Sequence, residues 1–291
     1  MSSKDAEWDL KALYLKTVNV LKESDVESPQ YNANVLIEYV LSYNKNYVIV
    51  NPNEIIENNK VNKVLLLAKE RANGTPLQYI VGKWFFGDME FFVGKGVLIP
   101  REDTQAVIDN AIKMLEVTET TPQKILDLCS GSGIIAITLA KKYMNAKVYG
   151  AELSKEAIYY LEKNIVHNKA DNVQILECDI LKDVEKIEEH AKFDLIISNP
   201  PYIISKEIET LQKEVKYEPI MALDGGESGY IFYEEIIKLY TQFLKDGGTL
   251  AFELGENQYD YVEKLMLAMG YTNINCVRDF GDCKRSIAGV K

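Results

Sequence analysis

Apolar residues recur at helical spacing through the first eighty positions. Leu10, Leu13, Tyr14 and Leu21 mark one segment and Val35, Leu36, Tyr39 and Val40 a second, while Val61, Val64, Leu65, Ala68 and Arg71 carry a third toward Gly74. Ser28-Pro29 supplies an N-cap and first-turn pair for the second segment. This spacing predicts a small helical bundle. Trp84-Phe85-Phe86 and Glu90-Phe91-Phe92-Val93 then flank Gly87-Asp88, which predicts a β-hairpin. Helical spacing returns from Asp103 to Val117. From residue 124 the texture alternates, with apolar runs at 124–129, 147–151, 173–177, 193–198 and 249–254 separated by helical stretches. Strands alternating with helices predict a doubly wound α/β sheet. Gly225, Gly226 and Gly229 are expected to form a loop before a helix from Tyr230 to Phe243. Lys245-Asp246-Gly247-Gly248 is expected to cap that helix and open the last strand. The chain thus divides into 1–83, 84–98 and 99–291.

Composition narrows the class without deciding it. Of 291 residues, 47% are hydrophobic and 26% charged, the balance of an ordinary globular protein. A net charge of -11 argues against a broad grip on a phosphate backbone and favours a protein or small-molecule partner. Apolar runs such as Val64 to Ala68 are far shorter than a membrane span, and the polar start from Met1 to Asp9 has no signal-peptide pattern, so the cytoplasm is the expected compartment. Cys129, Cys178, Cys276 and Cys283 lack C-x-x-C spacing, and His167 and His190 are the only histidines, which gives no support to a zinc site or a Ser-His-Asp engine. No metal is expected.

Two motifs carry chemistry. Lys124 to Cys129 leads into Ser130-Gly131-Ser132-Gly133 and a helical run from Ile134, the order strand, glycine turn, helix. Such a turn lets backbone approach a ligand, and the helix start offers free N–H groups. Glu152 lies 19 positions past Gly133, at the end of the next strand, where a carboxylate can accept both hydroxyls of a ribose. Asp179 and Ile180 end the third strand and are placed to meet an adenine ring. By itself the loop fits a dinucleotide as well as S-adenosyl-L-methionine.

The second motif is Asn199-Pro200-Pro201-Tyr202, directly after the strand Phe193 to Ser198. Two prolines fix φ and remove two donors, so the turn is rigid and its carbonyl directions are set. The C-terminal edge of an open α/β sheet is where ligands bind. An amide oxygen, a fixed carbonyl and an aromatic ring there can grip a planar group that bears NH2. Hydride transfer gains nothing evident from such a clamp, whereas methyl transfer to a conjugated NH2 does.

The chain resembles the S-adenosylmethionine-dependent methyltransferases that modify the glutamine of the Gly-Gly-Gln motif in peptide chain release factors. The resemblance rests on several stretches: Arg71 to Gly82 with Phe86-Gly87 and Phe91-x-Val93, Val97-Leu98-Ile99-Pro100-Arg101-x-Asp103-Thr104, Asp127 to Gly133, Asn199 to Ile203, and Glu218-Pro219 with Ala222-Leu223-x-Gly225-Gly226. It implies a Rossmann-like class I methyltransferase sheet at 99–291, a hairpin linker at 84–98 and an N-terminal helical bundle at 1–83 that docks the substrate. It further implies S-adenosyl-L-methionine held by Cys129, Ser130, Gly131, Ser132, Gly133, Glu152, Asp179, Ile180 and Asn199. Asn199, Pro200 and Tyr202 would be the catalytic residues, with Pro201 completing the substrate clamp. The partner would be a release factor, with no direct nucleic-acid binding, no membrane and a monomeric state. Gln105, Cys129 and Glu152 depart from the family's usual acidic residue, glycine and aspartate.

A carboxamide nitrogen is a weak nucleophile because its lone pair is shared with the carbonyl, so orientation is the task. The Asn199 side-chain oxygen and the Pro200 carbonyl would accept its two N–H bonds, with Tyr202 against the flat amide. The competing readings are a ribosomal-protein glutamine, N6-adenine methylation, which acidity disfavours, and a noncatalytic scaffold.

Overall fold

The structure is a computed structural model and describes residues 8–44, 46–279 and 281–291; residues 1–7 of the expected N-terminal segment lie outside the described residues. Two compact units are present, one formed by the described residues up to Gly82 with Lys213–Tyr217, the other by Lys83–Gln212 with Glu218–Lys291.

In the first unit β1 (Trp8–Asp9) leads into α1 (Leu10–Lys22), and the Asp9 side chain caps that helix by accepting from the Ala12 N–H at 2.6 Å. The chain continues through α2 (Pro29–Leu41), α3 (Tyr47–Val50), β2 (Ile55–Ile56), α4 (Asn58–Ala72) and α5 (Leu77–Val81). Helix α1 buries Leu10, Leu13, Thr17 and Leu21, and α4 buries Val61, Val64, Ala68 and Arg71. For α2 the buried face is Asn32, Ala33, Leu36, Ile37 and Leu41, so the expected stripe is rotated and Tyr39 is exposed. The buried face carries as many apolar side chains as the expected stripe, and a polar pair lies with them: Arg71 Nε donates to Asn32 Oδ1 at 2.8 Å and a second guanidinium nitrogen pairs with Glu214. Pro29 opens α2 as expected, but Ser28 sits at φ +49° and its side chain makes no capping hydrogen bond.

The second unit opens with a hairpin, β3 (Lys83–Phe86) against β4 (Met89–Phe92). Next come α6 (Thr104–Val117), β5 (Lys124–Leu128), α7 (Ile134–Lys142), β6 (Lys147–Glu152), α8 (Lys155–Asn168) and β7 (Val173–Glu177). The remainder is α9 (Val184–Glu188), β8 (Phe193–Ser198), α10 (Ile231–Tyr240), β9 (Leu244–Glu253), α11 (Tyr259–Ala268), β10 (Thr272–Arg278) and β11 (Lys284–Val290). Seven strands form one sheet in the order β10-β11-β9-β8-β5-β6-β7. Strands β9, β8, β5, β6 and β7 run parallel, and β11 and β10 add an antiparallel edge.

Side-chain alternation builds a core on each face of the sheet. Ile125, Leu195 and Ile197 join Val107, Ala111 and Ile137 on one side, while Leu126 and Ile196 join Tyr233, Ile237 and Val262 on the other. Each fully buried side chain of this size contributes roughly 1.5–3 kcal/mol of transfer free energy.

Two local expectations are corrected. The Lys245 to Gly248 stretch does not cap a helix: α10 ends at Tyr240, a 3-10 turn covers Thr241–Phe243, and the glycines lie inside β9, with Gly247 at φ +79° where the β8 register slips. Strand β7 ends at Glu177, so Asp179 and Ile180 belong to the loop beyond it, turned by the bond from Leu181 N–H to Asp179 Oδ1 at 3.0 Å.

Candidate active site

The chain leaves β5 in both directions of the sheet, toward β6 on one side and β8 on the other, and the reversal leaves a crevice at the strands' C-terminal ends. A cavity of about 440 Å³ occupies it. Its walls come from the glycine loop after β5, the end of β6, the loop after β7, Asn199 and Pro201 after β8, and the segments 96–101 and 219–222.

The loop is held from below. Asp127 is fully buried; its Oδ2 accepts from the Ser130 hydroxyl at 2.6 Å and from the Ala136 N–H at 3.2 Å, and Oδ1 has no hydrogen-bond partner among the described residues. Burial pushes its pKa up to about 7 against these two bonds. Cys129 has φ +60°, a left-handed conformation that glycine adopts at less cost, which accounts physically for a glycine being usual there. At Gly133, φ is +87° and a Cβ would come 2.3 Å from Leu161 Cδ1, so close packing of α8 demands the missing side chain. Asn164 of α8 fastens the hairpin to the loop: it exchanges two bonds with the Phe92 backbone, at 2.6 and 3.0 Å, and donates to Ser132 O at 2.9 Å.

Glu152 ends β6 with its carboxylate in the cavity wall. Oε2 accepts from Gly131 N–H, and Oε1 accepts from the N–H groups of Leu153 and Ser154, all at 2.8 Å. The carboxylate therefore shapes the loop while retaining lone pairs for a ligand. Asp179 and Ile180 both line the cavity; Asp179 pairs with Lys182 at 2.9 Å, and Ile180 O accepts from the buried Tyr240 hydroxyl at 2.7 Å.

Asn199 is half-buried and its Nδ2 donates to Thr104 Oγ1 at 3.4 Å. Tyr202 does not line the cavity; its hydroxyl lies 3.4 Å from Glu253 Oε1, and its carbonyl accepts from Gln258 Nε2 at 3.1 Å. Burial raises its pKa above the ordinary phenol value. Glu253, at the end of β9, is 2% exposed and its Oε2 has no hydrogen-bond partner among the described residues. Burial pushes this carboxyl up to about 7, against the hydroxyls of Thr104 and Tyr202 and the charge of Arg285, which draw it down.

Arg101 and Glu218 tie two cavity walls together. Glu218 is 3% exposed, pairs with the Arg101 guanidinium and accepts from the Ile99 N–H at 2.9 Å; burial still holds its pKa above the usual carboxylate value. Arg101 is thus a structural partner of Glu218. Among the described residues, Arg278 pairs with Asp282 at an exposed turn.

Of the residues the sequence singled out, Cys129, Ser130, Gly131, Ser132, Glu152, Asp179, Ile180, Asn199 and Pro201 meet around the cavity, while Gly133, Pro200 and Tyr202 adjoin its lining residues in sequence without lining it. Sequence reasoning missed Thr104, Cys178 and Leu153 in the wall and Glu253 behind it. Position was the only signal for Glu253, a charged residue closing an apolar strand run. Among the described residues no cluster of potential metal ligands occurs, and no helix is long and apolar enough to cross a membrane.

Two family descriptions match: the PrmC N-terminal domain over residues 13–82 and the methyltransferase small domain over residues 104–218. The chain is 37% identical over 284 residues to a release factor glutamine methyltransferase of Clostridium botulinum, covering 97% of this chain and 99% of that protein. It is 38% identical over 284 residues to the protein of the same name in Fusobacterium nucleatum, covering 96% and 78%. Among solved structures, the hMettl16 catalytic domain in complex with MAT2A 3'UTR hairpin 6 superposes with a TM-score of 0.54 at 13% identity, covering 87% of this chain and 91% of that one; this likeness concerns the fold alone.

Proposed function

The chain belongs to the release factor glutamine methyltransferase family, and on that premise we propose that it transfers a methyl group from S-adenosyl-L-methionine to the side-chain nitrogen of the glutamine in a release factor's Gly-Gly-Gln motif. The observation that carries this reading is the placement of Asn199, on a turn stiffened by two prolines, in the same cavity wall as the glycine loop and Glu152.

The cavity suits the cofactor. Its volume is in the range of small-molecule sites. The Glu152 carboxylate stands where ribose hydroxyls would bind, and the loop from Cys178 to Leu181 offers an apolar slot for a purine. Bound there, the cofactor supplies an electrophilic methyl.

The chain's own residues do the rest by positioning. Asn199 Oδ1 and the Pro200 carbonyl accept the two N–H bonds of the acceptor amide and turn its nitrogen toward the cofactor. Desolvation in the occupied cavity strengthens both bonds. As the nitrogen gains its methyl and loses planarity, its surplus proton becomes acidic and leaves to these acceptors or to water. Tyr202 packs beneath the turn and keeps it from shifting. The helical unit docks the protein substrate, the enzyme acts as a monomer in the cytoplasm, and its acidity disfavours nucleic acid as the acceptor.

Labelled methyl from S-adenosyl-L-methionine, offered in parallel to a release factor, its Gly-Gly-Ala variant and duplex DNA, tests the proposal. Label on the first alone is expected. Label on the Gly-Gly-Ala variant or on DNA would overturn it, and label on none of the three would move the acceptor to another protein.

A further inference from the structure

Gln258 stands at the N-cap of α11 and is 7% exposed, yet its side chain makes no capping bond to its own helix. It turns instead toward the segment after β9 and the turn after β8. Nε2 donates to Tyr202 O and to Gly229 O, each at 3.1 Å, while Oε1 accepts from the Gly255 N–H at 2.9 Å and lies 3.0 Å from the buried Tyr233 hydroxyl. Each hydrogen of the carboxamide NH2 has an acceptor, and its oxygen faces two donors.

These partners allow one orientation. A half-turn of the amide would set its oxygen against two carbonyl oxygens and its NH2 against an N–H, and backbone groups cannot exchange roles as a hydroxyl can. A buried polar network whose members are all satisfied is rigid. The clamp turn needs such an anchor, because Pro200 and Pro201 have no N–H and leave carbonyls as its backbone handles. Asn199 and Pro201 face the cavity, and the next carbonyl along, that of Tyr202, is the one Gln258 holds. Packing there is close: a Cβ at Gly225 would come 2.7 Å from Tyr202 Cα, and one at Gly255 would come 2.9 Å from Tyr202 Cδ2 and 2.8 Å from Gln258 Oε1. Beyond the turn, the Ile203 N–H donates to Leu223 O at 2.9 Å and Ile203 O accepts from the Gly225 N–H at 2.8 Å. Slack at Tyr202 therefore passes back into Asn199 to Pro201.

We propose that Gln258 is a positioning residue for the acceptor clamp: its carboxamide holds the Tyr202 carbonyl and, through the two prolines, sets where the Pro200 carbonyl and the Asn199 side chain stand. The inference rests on the reading of Asn199 to Tyr202 as that clamp. Gln258 does not line the cavity and acts through the turn alone.

The test compares Gln258→Met, which keeps the length and removes the bonds, with Gln258→Glu, whose carboxylate sets lone pairs against the two carbonyls. Val262→Ala, a truncation of a fully buried residue on the same helix, leaves the Gln258 bonds in place and serves as the control. In steady-state transfer to a release factor, kcat is expected to fall about tenfold to hundredfold in both Gln258 variants, with KM for the acceptor and cofactor affinity by calorimetry within about threefold. In Val262→Ala, kcat is expected within about threefold of wild type. The second readout is the side-chain amide signals of Asn199 and Gln258 in nitrogen-15-labelled protein, assigned through bonds to the backbone. Hydrogen exchange at the wild-type Gln258 amide is expected to be slow, and the Asn199 signal is expected to shift in Gln258→Met and not in Val262→Ala. A kcat in Gln258→Met within about threefold of wild type, an equal fall in Val262→Ala, or an unmoved Asn199 signal would overturn the proposal. Should both Gln258 variants fail to fold, exchange at the wild-type Gln258 amide decides, and exchange as fast as that of a solvent-exposed amide overturns it. If the wild-type protein transfers nothing to a release factor, the functional reading fails separately and the amide signals alone decide the positioning claim.

Discussion

Raising the pH from 5 to 8 should weaken the second unit, and Glu253→Gln should remove a defined share of that loss. Glu253 is 2% exposed, and burial lifts its pKa from the ordinary 4.5 to about 7. Thr104, Tyr202, Asp103 and Arg285 face it, and their combined effect does not offset desolvation. Between these two pKa values the folded chain holds a proton that the unfolded chain has released. Stability is therefore highest below pH 4.5, falls as pH rises toward 7, and levels off above it. At about 1.4 kcal/mol per pH unit, the part of this window between pH 5 and 7 amounts to roughly 3 kcal/mol. Asp127, lifted from 3.8 to about 7 by burial, adds a loss of the same sign. Trp84 lies in the second unit and Trp8 in the first, so urea unfolding followed by fluorescence in a Trp8→Phe background reports on the second unit. The quantity to compare is the fall in unfolding free energy from pH 5 to pH 8. In Glu253→Gln it should be smaller than in wild type by about 3 kcal/mol, whatever the absolute stability of the variant. Equal falls in the two proteins would refute the assignment of a shifted, buried carboxyl at Glu253.

Asn199→Ala should abolish methyl transfer while cofactor affinity, measured by calorimetry, stays within about tenfold. Glu152→Ala should lose cofactor affinity and also about 2–4 kcal/mol of stability, because three backbone N–H groups lose a charged acceptor; a thermal shift without a change in affinity would count against its ligand role. Arg101→Met leaves the Glu218 carboxylate buried without its partner and should cost about 2–4 kcal/mol, with Glu218→Gln in the same chain recovering part of it in a double-mutant cycle. Gly133→Ala should cost more than about 2 kcal/mol, since both the φ of +87° and the 2.3 Å approach to Leu161 oppose a Cβ; denaturant midpoints measure it.

The class of fold was legible because its signals are local. Runs such as Phe193 to Ser198 and 124–129 announce buried parallel strands, and the order of strand, glycine turn and helix places Ser130 to Gly133 at a helix start before any tertiary contact is known. Glu152 and Asn199 could be placed at strand ends for the same reason. What escaped were relations between distant segments. Arg101 with Glu218, and Thr104 and Tyr202 with Glu253, become neighbours only when α6 and the loops after β8 and β9 are folded onto the sheet edge. Periodicity could not choose the buried face of α2: two overlapping stripes carry equal numbers of apolar residues, and the Asn32–Arg71 hydrogen bond on the buried one joins segments far apart in sequence. At Lys245 to Gly248 a glycine pair read as a helix cap is instead a break in strand register, and no local signal separates the two.

The most direct test of the central claim is mass analysis, with peptide fragmentation, of a release factor incubated with this protein and S-adenosyl-L-methionine. The account predicts one added methyl on the side-chain amide of the Gly-Gly-Gln glutamine, and none when Asn199→Ala replaces the wild-type protein. A methyl on any other residue, or an undiminished one with Asn199→Ala, would contradict it.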